Sequence, residues 1–308
     1  PMRLWFPPGR REEALRGMGR TPEMMRFLEE RTGTPFPWAR YDQVVVWDFH
    51  FGGMENTSCT TMTELLLVDP NLGPHWHAEE LVVHELAHQW FGDLVTCRDW
   101  SQAWLNESFA TWFEAEWRAF AHGAEEGAWY AFGQLRAYLE EDATRYRRPI
   151  QSYDFREPID VFDHHLYEKG AVVLRTLAAE IGRDALAAGL KEYLERHAHG
   201  PVHTRHLQTA LEDAVGVDLD TFFDQWISHG GHPFVTVRLG QEPGLVTVDV
   251  EQRQEGPATP EVFRFGLVVE VITEQGARRV TLPVRERRRT FALPVEGTVR
   301  AEIGRAHV

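Results

Sequence analysis

HELAHQWFGDLVTCRDWSQAWLNESFATW occupies residues 84–112, and its spacing sets both the fold around it and its chemistry. His84 and His88 are four residues apart, with Glu85 between them. On a helix, positions i and i+4 lie on one face, so both imidazoles can reach one metal ion while Glu85 points slightly aside. Leu81, Val82, Leu86 and Ala87 give that helix an apolar side to bury. Glu107 comes after a gap of eighteen residues, on a second predicted helix. Packing the two helices together closes a His84–His88–Glu107 set around one zinc ion per chain and leaves one coordination position for water. Zinc lowers the pKa of bound water to about 7. Glu85 is placed to accept that proton and pass it to a leaving amine. The stretch thus predicts hydrolysis of an amide. A lone HExxH also fits a solvated helix face, and the position of Glu107 is what argues against that reading. His75 and His77, in a Pro-bearing loop before the helix, read as surface histidines.

Outward from this stretch, the motif helix spans Ala78–Trp90, the next Leu105–Phe120, and a longer one Glu125–Arg145. Tryptophans crowd this region, from Trp76 to Trp129, and read as a packed wall around the motif. After a loop at Pro149–Pro158, further helices are predicted at His164–Ile181, Asp184–His197, Thr204–Val215 and Leu219–His229. Upstream, EALRGM and PEMMRFLEERTG carry helical spacing, with Thr21-Pro22 as a helix start. Gln43–Phe49 and Glu64–Val68 read as strands, and Gly52-Gly53 between them permits a bulge or a close backbone approach to a ligand. After His232-Pro233, six alternating runs separated by turn residues read as antiparallel strands. The predicted class is α+β: a mainly helical domain over residues 1–232 with a small β-sheet lobe, then a small antiparallel β-sandwich over 233–308.

Charge narrows the partners. Against 32 Lys and Arg stand 47 Asp and Glu, a net −15, which disfavours nucleic acid and anionic membrane surfaces. It suits a cationic ligand such as a peptide amino terminus, although excess acid also serves plain solubility. No apolar run reaches the roughly 18 residues needed to span a bilayer. Cys59 and Cys97 are too few for a disulfide framework, although one pair could still bridge, so the compartment stays open with the cytoplasm slightly favoured. The opening PMRLWFPPG, without an initiator Met, reads as the middle of a longer polypeptide.

Four motifs in order, GGMEN at 52–56, HELAHQWFGDLVT at 84–96, WLNE at 104–107 and YEKG at 167–170, resemble the zinc aminopeptidases of the aminopeptidase N and leukotriene hydrolase type, the gluzincins. The resemblance covers roughly residues 1–232 and implies a thermolysin-like catalytic domain. It implies that His84, His88 and Glu107 hold zinc and that Glu85 is the general base. It assigns Gly52, Gly53, Met54, Glu55 and Asn56 to substrate binding, with Glu55 gripping the free amino group. It makes Tyr167 the phenol that stabilises the oxyanion. Phe51 would line the pocket for the first substrate side chain. Thr111 is a candidate partner of Glu107, with plain packing the simpler reading. Asp93 and Arg98 fall in the motif run without an assigned role, and His164 and His165 read as exposed residues at a helix start. Such enzymes carry amino-terminal and carboxy-terminal domains that this chain does not include, and contacts with them are expected. Two alternatives stay open: a thermolysin-type endopeptidase, which would lack the amino-group anchor, and a non-catalytic scaffold that keeps the fold.

Overall fold

The computed structural model describes residues 1–69, 71–72, 78–256, 258–296 and 299–306, the last stretch as backbone. His75 and His77 lie outside the described residues. Two compact units emerge, residues 1–140 with 151–217, and residues 141–150 with 218–308. The change of sequence texture at 232–233, where the domain boundary is expected, falls inside the second unit.

The first unit opens with β1 (Met2–Trp5), α1 (Arg11–Met18) and α2 (Thr21–Thr32). Pro22 sits at the start of α2, and Gly33 ends it in the left-handed conformation at φ 63°, the usual glycine stop. Next come β2 (Tyr41–Val46), β3 (Gly53–Met54) and β4 (Cys59–Thr63). These strands form one sheet in the order β1-β2-β4-β3, with β3 antiparallel at the edge. The strand expected at Glu64–Val68 is a correction: the strand lies just upstream, and Glu64–Leu66 is a 3-10 turn. The Thr63 hydroxyl accepts the Leu65 N–H and turns the chain. Leu65 then faces solvent while Leu66, Leu67 and Val68 are buried, a pattern that strand alternation would not give.

The motif helix α3 (Glu79–Ala87) is followed by β5 (Val95–Cys97), α4 (Trp104–His122) and α5 (Ala124–Thr144). After these come α6 (Gly170–Ile181), α7 (Arg183–His197), β6 (Gly200–Val202) and α8 (Thr204–Val215). β5 pairs in parallel with β6. Asp99 caps a 3-10 turn by accepting the Ser101 N–H at 3.1 Å, and α4 follows directly from that turn. Apolar burial locks α3 and α4 together. Phe91 stacks on Phe109 at 4.2 Å between ring centroids, and Trp90, Trp104 and Trp117 are fully buried. The tryptophan wall is only partly a wall, because Trp100 and Trp129 are exposed.

In place of one helix over His164–Ile181, a π-helical turn at His165–Lys169 leads into α6. His165 is fully buried, edge-on to Tyr138 at 5.4 Å, so the expectation of an exposed residue fails there. The His165 ring nitrogen lies 3.7 Å from the Asp163 carboxylate, so burial leaves the imidazole a polar neighbour. His164 is exposed and pairs with Glu168 at 2.8 Å.

The second unit holds α9 (Asp220–Phe223), a π-helical turn at Asp224–Ser228, and six strands. These are β7 (Val235–Glu242), β8 (Leu245–Gln252), β9 (Phe265–Thr273), β10 (Gly276–Val284), β11 (Arg288–Pro294) and β12 (Val299–Ala306). They make two three-stranded antiparallel sheets, β10-β9-β12 and β11-β8-β7. Alternate residues of β8 and β9 are buried, Val246, Val248 and Val250 on one and Leu267, Val269 and Val271 on the other, as the period of two requires. Cys59 and Cys97 are free thiols. No helix among the described residues is long and apolar enough to cross a membrane.

Candidate active site

The two imidazoles and Glu107 converge as their spacing predicts. His84 Nε2 and His88 Nε2 are 3.2 Å apart, and Glu107 Oε2 lies 3.4 Å from the first and 3.2 Å from the second. A tetrahedral ion with bonds of about 2.0–2.1 Å separates its ligand atoms by about 3.3–3.4 Å, so this triangle has the dimensions of three corners of such a site. The other ring nitrogens are occupied. Glu114 Oε1 lies 2.7 Å from His84 Nδ1, and the Phe91 carbonyl lies 2.9 Å from His88 Nδ1. Acceptors at both Nδ1 atoms place the protons there and turn the two Nε2 lone pairs toward each other. Two facing lone pairs repel unless a cation sits between them. The donor set therefore fits a divalent metal, and two imidazoles with one carboxylate suit zinc.

Glu114 is in turn held by the Tyr130 hydroxyl at 2.8 Å and the Gln134 amide at 3.2 Å. It lies two turns beyond Glu107 on the same face of α4, a spacing that could have drawn notice to it in the sequence. Thr111, one turn from Glu107, instead donates to the Glu107 main-chain carbonyl at 2.8 Å, so it serves the helix and not the carboxylate. Asn106 accepts the Cys97 N–H at 3.2 Å, fixing β5 against the start of α4.

Glu85 is buried, and its Oε2 has no hydrogen-bond partner among the described residues. Burial pushes its carboxyl up to about 7, against the pull of His84 and His88, with Glu55 and Glu107 adding to the rise. A carboxyl poised near neutrality suits proton transfer. Edge strand β3 passes close over this residue. A side chain at Gly53 would begin 2.4 Å from the Glu85 carboxyl carbon, and one at Gly52 would begin 3.0 Å from the Leu81 side chain. At Gly53 a side chain would collide with the Glu85 carboxylate, whereas at Gly52 Leu81 would have to shift only slightly. Glu55 is half-buried, and its charge acts on Glu85, His88 and Tyr167. The Asn56 amide donates to the Thr61 hydroxyl at 3.0 Å and the Met54 carbonyl at 3.3 Å. Met54 and Phe51 are exposed, with Phe51 set 6.2 Å from the ring of Phe49.

The Tyr167 ring stacks beside His84 at 6.1 Å. Burial, then the nearby carboxylates of Glu107, Glu55, Glu85 and Glu168, push its hydroxyl well above the usual phenol range, so it stays protonated and able to donate. Its place depends on a close helix contact. A side chain at Gly170 would collide with the Ser108 hydroxyl, which itself donates to the Leu166 carbonyl at 2.6 Å. Ser108 follows Glu107 directly, so α4 carries one candidate ligand and anchors the turn that carries Tyr167. Asp93 is pushed up to about 7 by burial, against the pull of His88, while Arg98 is exposed and paired with Asp99.

Residues 16–226 match the Peptidase family M1 domain. Aminopeptidase 2 of Candida albicans is 31% identical over 84% of this chain and 30% of its own length. Aminopeptidase N of Streptomyces lividans is 34% identical over 76% and 28%. Tricorn protease-interacting factor F2 of Thermoplasma acidophilum is 32% identical over 69% and 28%. The chain belongs to peptidase family M1. It spans 28–30% of the length of these three relatives.

Proposed function

We propose that the chain is the catalytic portion of a zinc aminopeptidase that removes the amino-terminal residue from peptides. The observation that carries this reading is the triangle of His84, His88 and Glu107, with Glu114 and the Phe91 carbonyl behind the imidazoles. A bound zinc ion supplies a Lewis acid and an activated water. Glu85 takes a proton from the attacking water and delivers it to the departing amine as the amide C–N bond breaks. The Tyr167 hydroxyl donates to the oxygen that gains charge in the tetrahedral transition state. Glu55 accepts hydrogen bonds from the substrate ammonium, while Gly52, Gly53, Met54 and Asn56 run the backbone alongside the peptide as an edge strand. Phe51 faces the first substrate side chain.

In the same reading, residues 1–232 form a thermolysin-like catalytic domain and residues 233–308 a β-sandwich domain. The substrates are peptides with a free amino terminus. A panel of aminoacyl chromogenic amides and one amino-acetylated peptide tests the proposal with wild type and Glu85→Gln. Wild type should cleave only free-amine substrates, and Glu85→Gln should lose about 10²–10⁴-fold in kcat with zinc still bound. Cleavage of the acetylated peptide would point to an endopeptidase. No zinc in the purified protein would leave only the scaffold reading.

A further inference from the structure

Three consecutive residues leave the end of α3 in three directions. His88 turns to the proposed zinc site, and the Trp90 indole donates to the Thr34 carbonyl at 3.0 Å. Gln89, between them, reaches the loop joining β3 and β4. Its side-chain oxygen accepts the Ser58 N–H at 2.8 Å, and its nitrogen donates to the Glu55 carbonyl at 3.1 Å. Gln89 is fully buried, so water does not compete for either bond. One amide thus grips both ends of Glu55–Ser58, the segment that carries the proposed amine-binding carboxylate.

That segment is a tight turn, held also by the Asp42 N–H donating to the Ser58 carbonyl at 2.9 Å. Ser58 sits at φ 63°, in the left-handed region that residues with side chains rarely enter, and the Cys59 N–H closes a tight turn onto the Asn56 carbonyl at 2.9 Å. We infer that Gln89 is a positioning residue that fixes Glu55, and with it the substrate amino group, at a set distance from the zinc ligand His88. This rests on the reading of Glu55 as the amino group's partner. Gln89 itself need touch no substrate. Because it is the next residue after His88, the two ends of the scissile residue are registered against each other through one peptide bond and one side chain.

The test is equilibrium binding to the zinc-loaded full chain of an α-amino hydroxamate and its des-amino analogue with the same side chain. A hydrogen-bonded ammonium should favour the amine in wild type by about 10–100-fold. Gln89→Ala should lose about tenfold of that preference, roughly the worth of the lost register, with zinc stoichiometry and des-amino affinity unchanged. Gln89→Glu keeps the acceptor for Ser58 but not the donor to Glu55, and should fall between the two; it carries the test if Gln89→Ala does not retain zinc. Equal weakening of both ligands, or an unchanged preference, would overturn the inference. Absence of any preference in wild type would overturn the reading of Glu55, and the inference with it.

Discussion

Charge is buried in one part of this chain and displayed in another. Between α3 and α4, His84, Glu85, His88 and Glu107 are all buried, and nearly every polar atom has a named partner. On the sheet of β7, β8 and β11, Arg238, Asp249, Glu251 and Arg288 form a solvent-facing ladder of ion pairs over a row of buried valines. A buried ionisable group costs far more to leave unmatched than a surface pair contributes. The first region is therefore specified by its charges, the second by its apolar rows. Substitutions should separate the two.

The largest effect should come from Glu107→Ala. It leaves two imidazoles without the third ligand, and zinc retention and peptide hydrolysis should both be lost, read by metal analysis after dialysis. Unaltered zinc content would break the contrast at its root. Leu267→Ala empties a buried position of β9 and should lower stability by about 2–5 kcal/mol in denaturant titration, with zinc stoichiometry kept at one. Glu114→Ala removes the acceptor behind His84, together with the partner of Tyr130 and Gln134, and should weaken zinc about 10–100-fold by competition with a chelator. Asp249→Asn should leave both the melting midpoint and zinc affinity unmoved, because its partners remain solvated. A marked shift there would show that the ladder is more than a wet surface.

The same contrast explains what could be read in the sequence. α8 ran over Thr204–Val215 as its apolar spacing and the following Gly216 dictate, and the six terminal strands announced themselves by alternation. Local rules decide such elements. The strand Cys59–Thr63 was hidden because three threonines in five residues leave no apolar alternation to read; its buried Thr60 hydroxyl is matched by the Tyr41 hydroxyl at 2.8 Å. At the site, HExxH and Glu107 were legible because a helix converts spacing into direction. Glu114, the Phe91 carbonyl, Gln89 and Ser108 were not singled out: three act on main-chain atoms or are main-chain atoms, and Glu114 is one acid among many. Their meaning comes from what lies opposite them, which no periodicity encodes.

The π-helical turn at His165–Lys169 has a consequence for how this chain can vary. Such a turn is an α-helix holding one residue more than its register allows. A π turn spreads about five residues over the rotation that four take in an α-helix, so deleting one residue would let the helix close normally with its flanks little rotated. Gly170 is pinned on Ser108, so the change would fall within the turn itself and move the Tyr167 ring from its place beside His84. Most helix surfaces here should tolerate a change of residue better than a change of length. At this turn the ordering is sharper, since the count of residues, as much as their identity, aims the phenol.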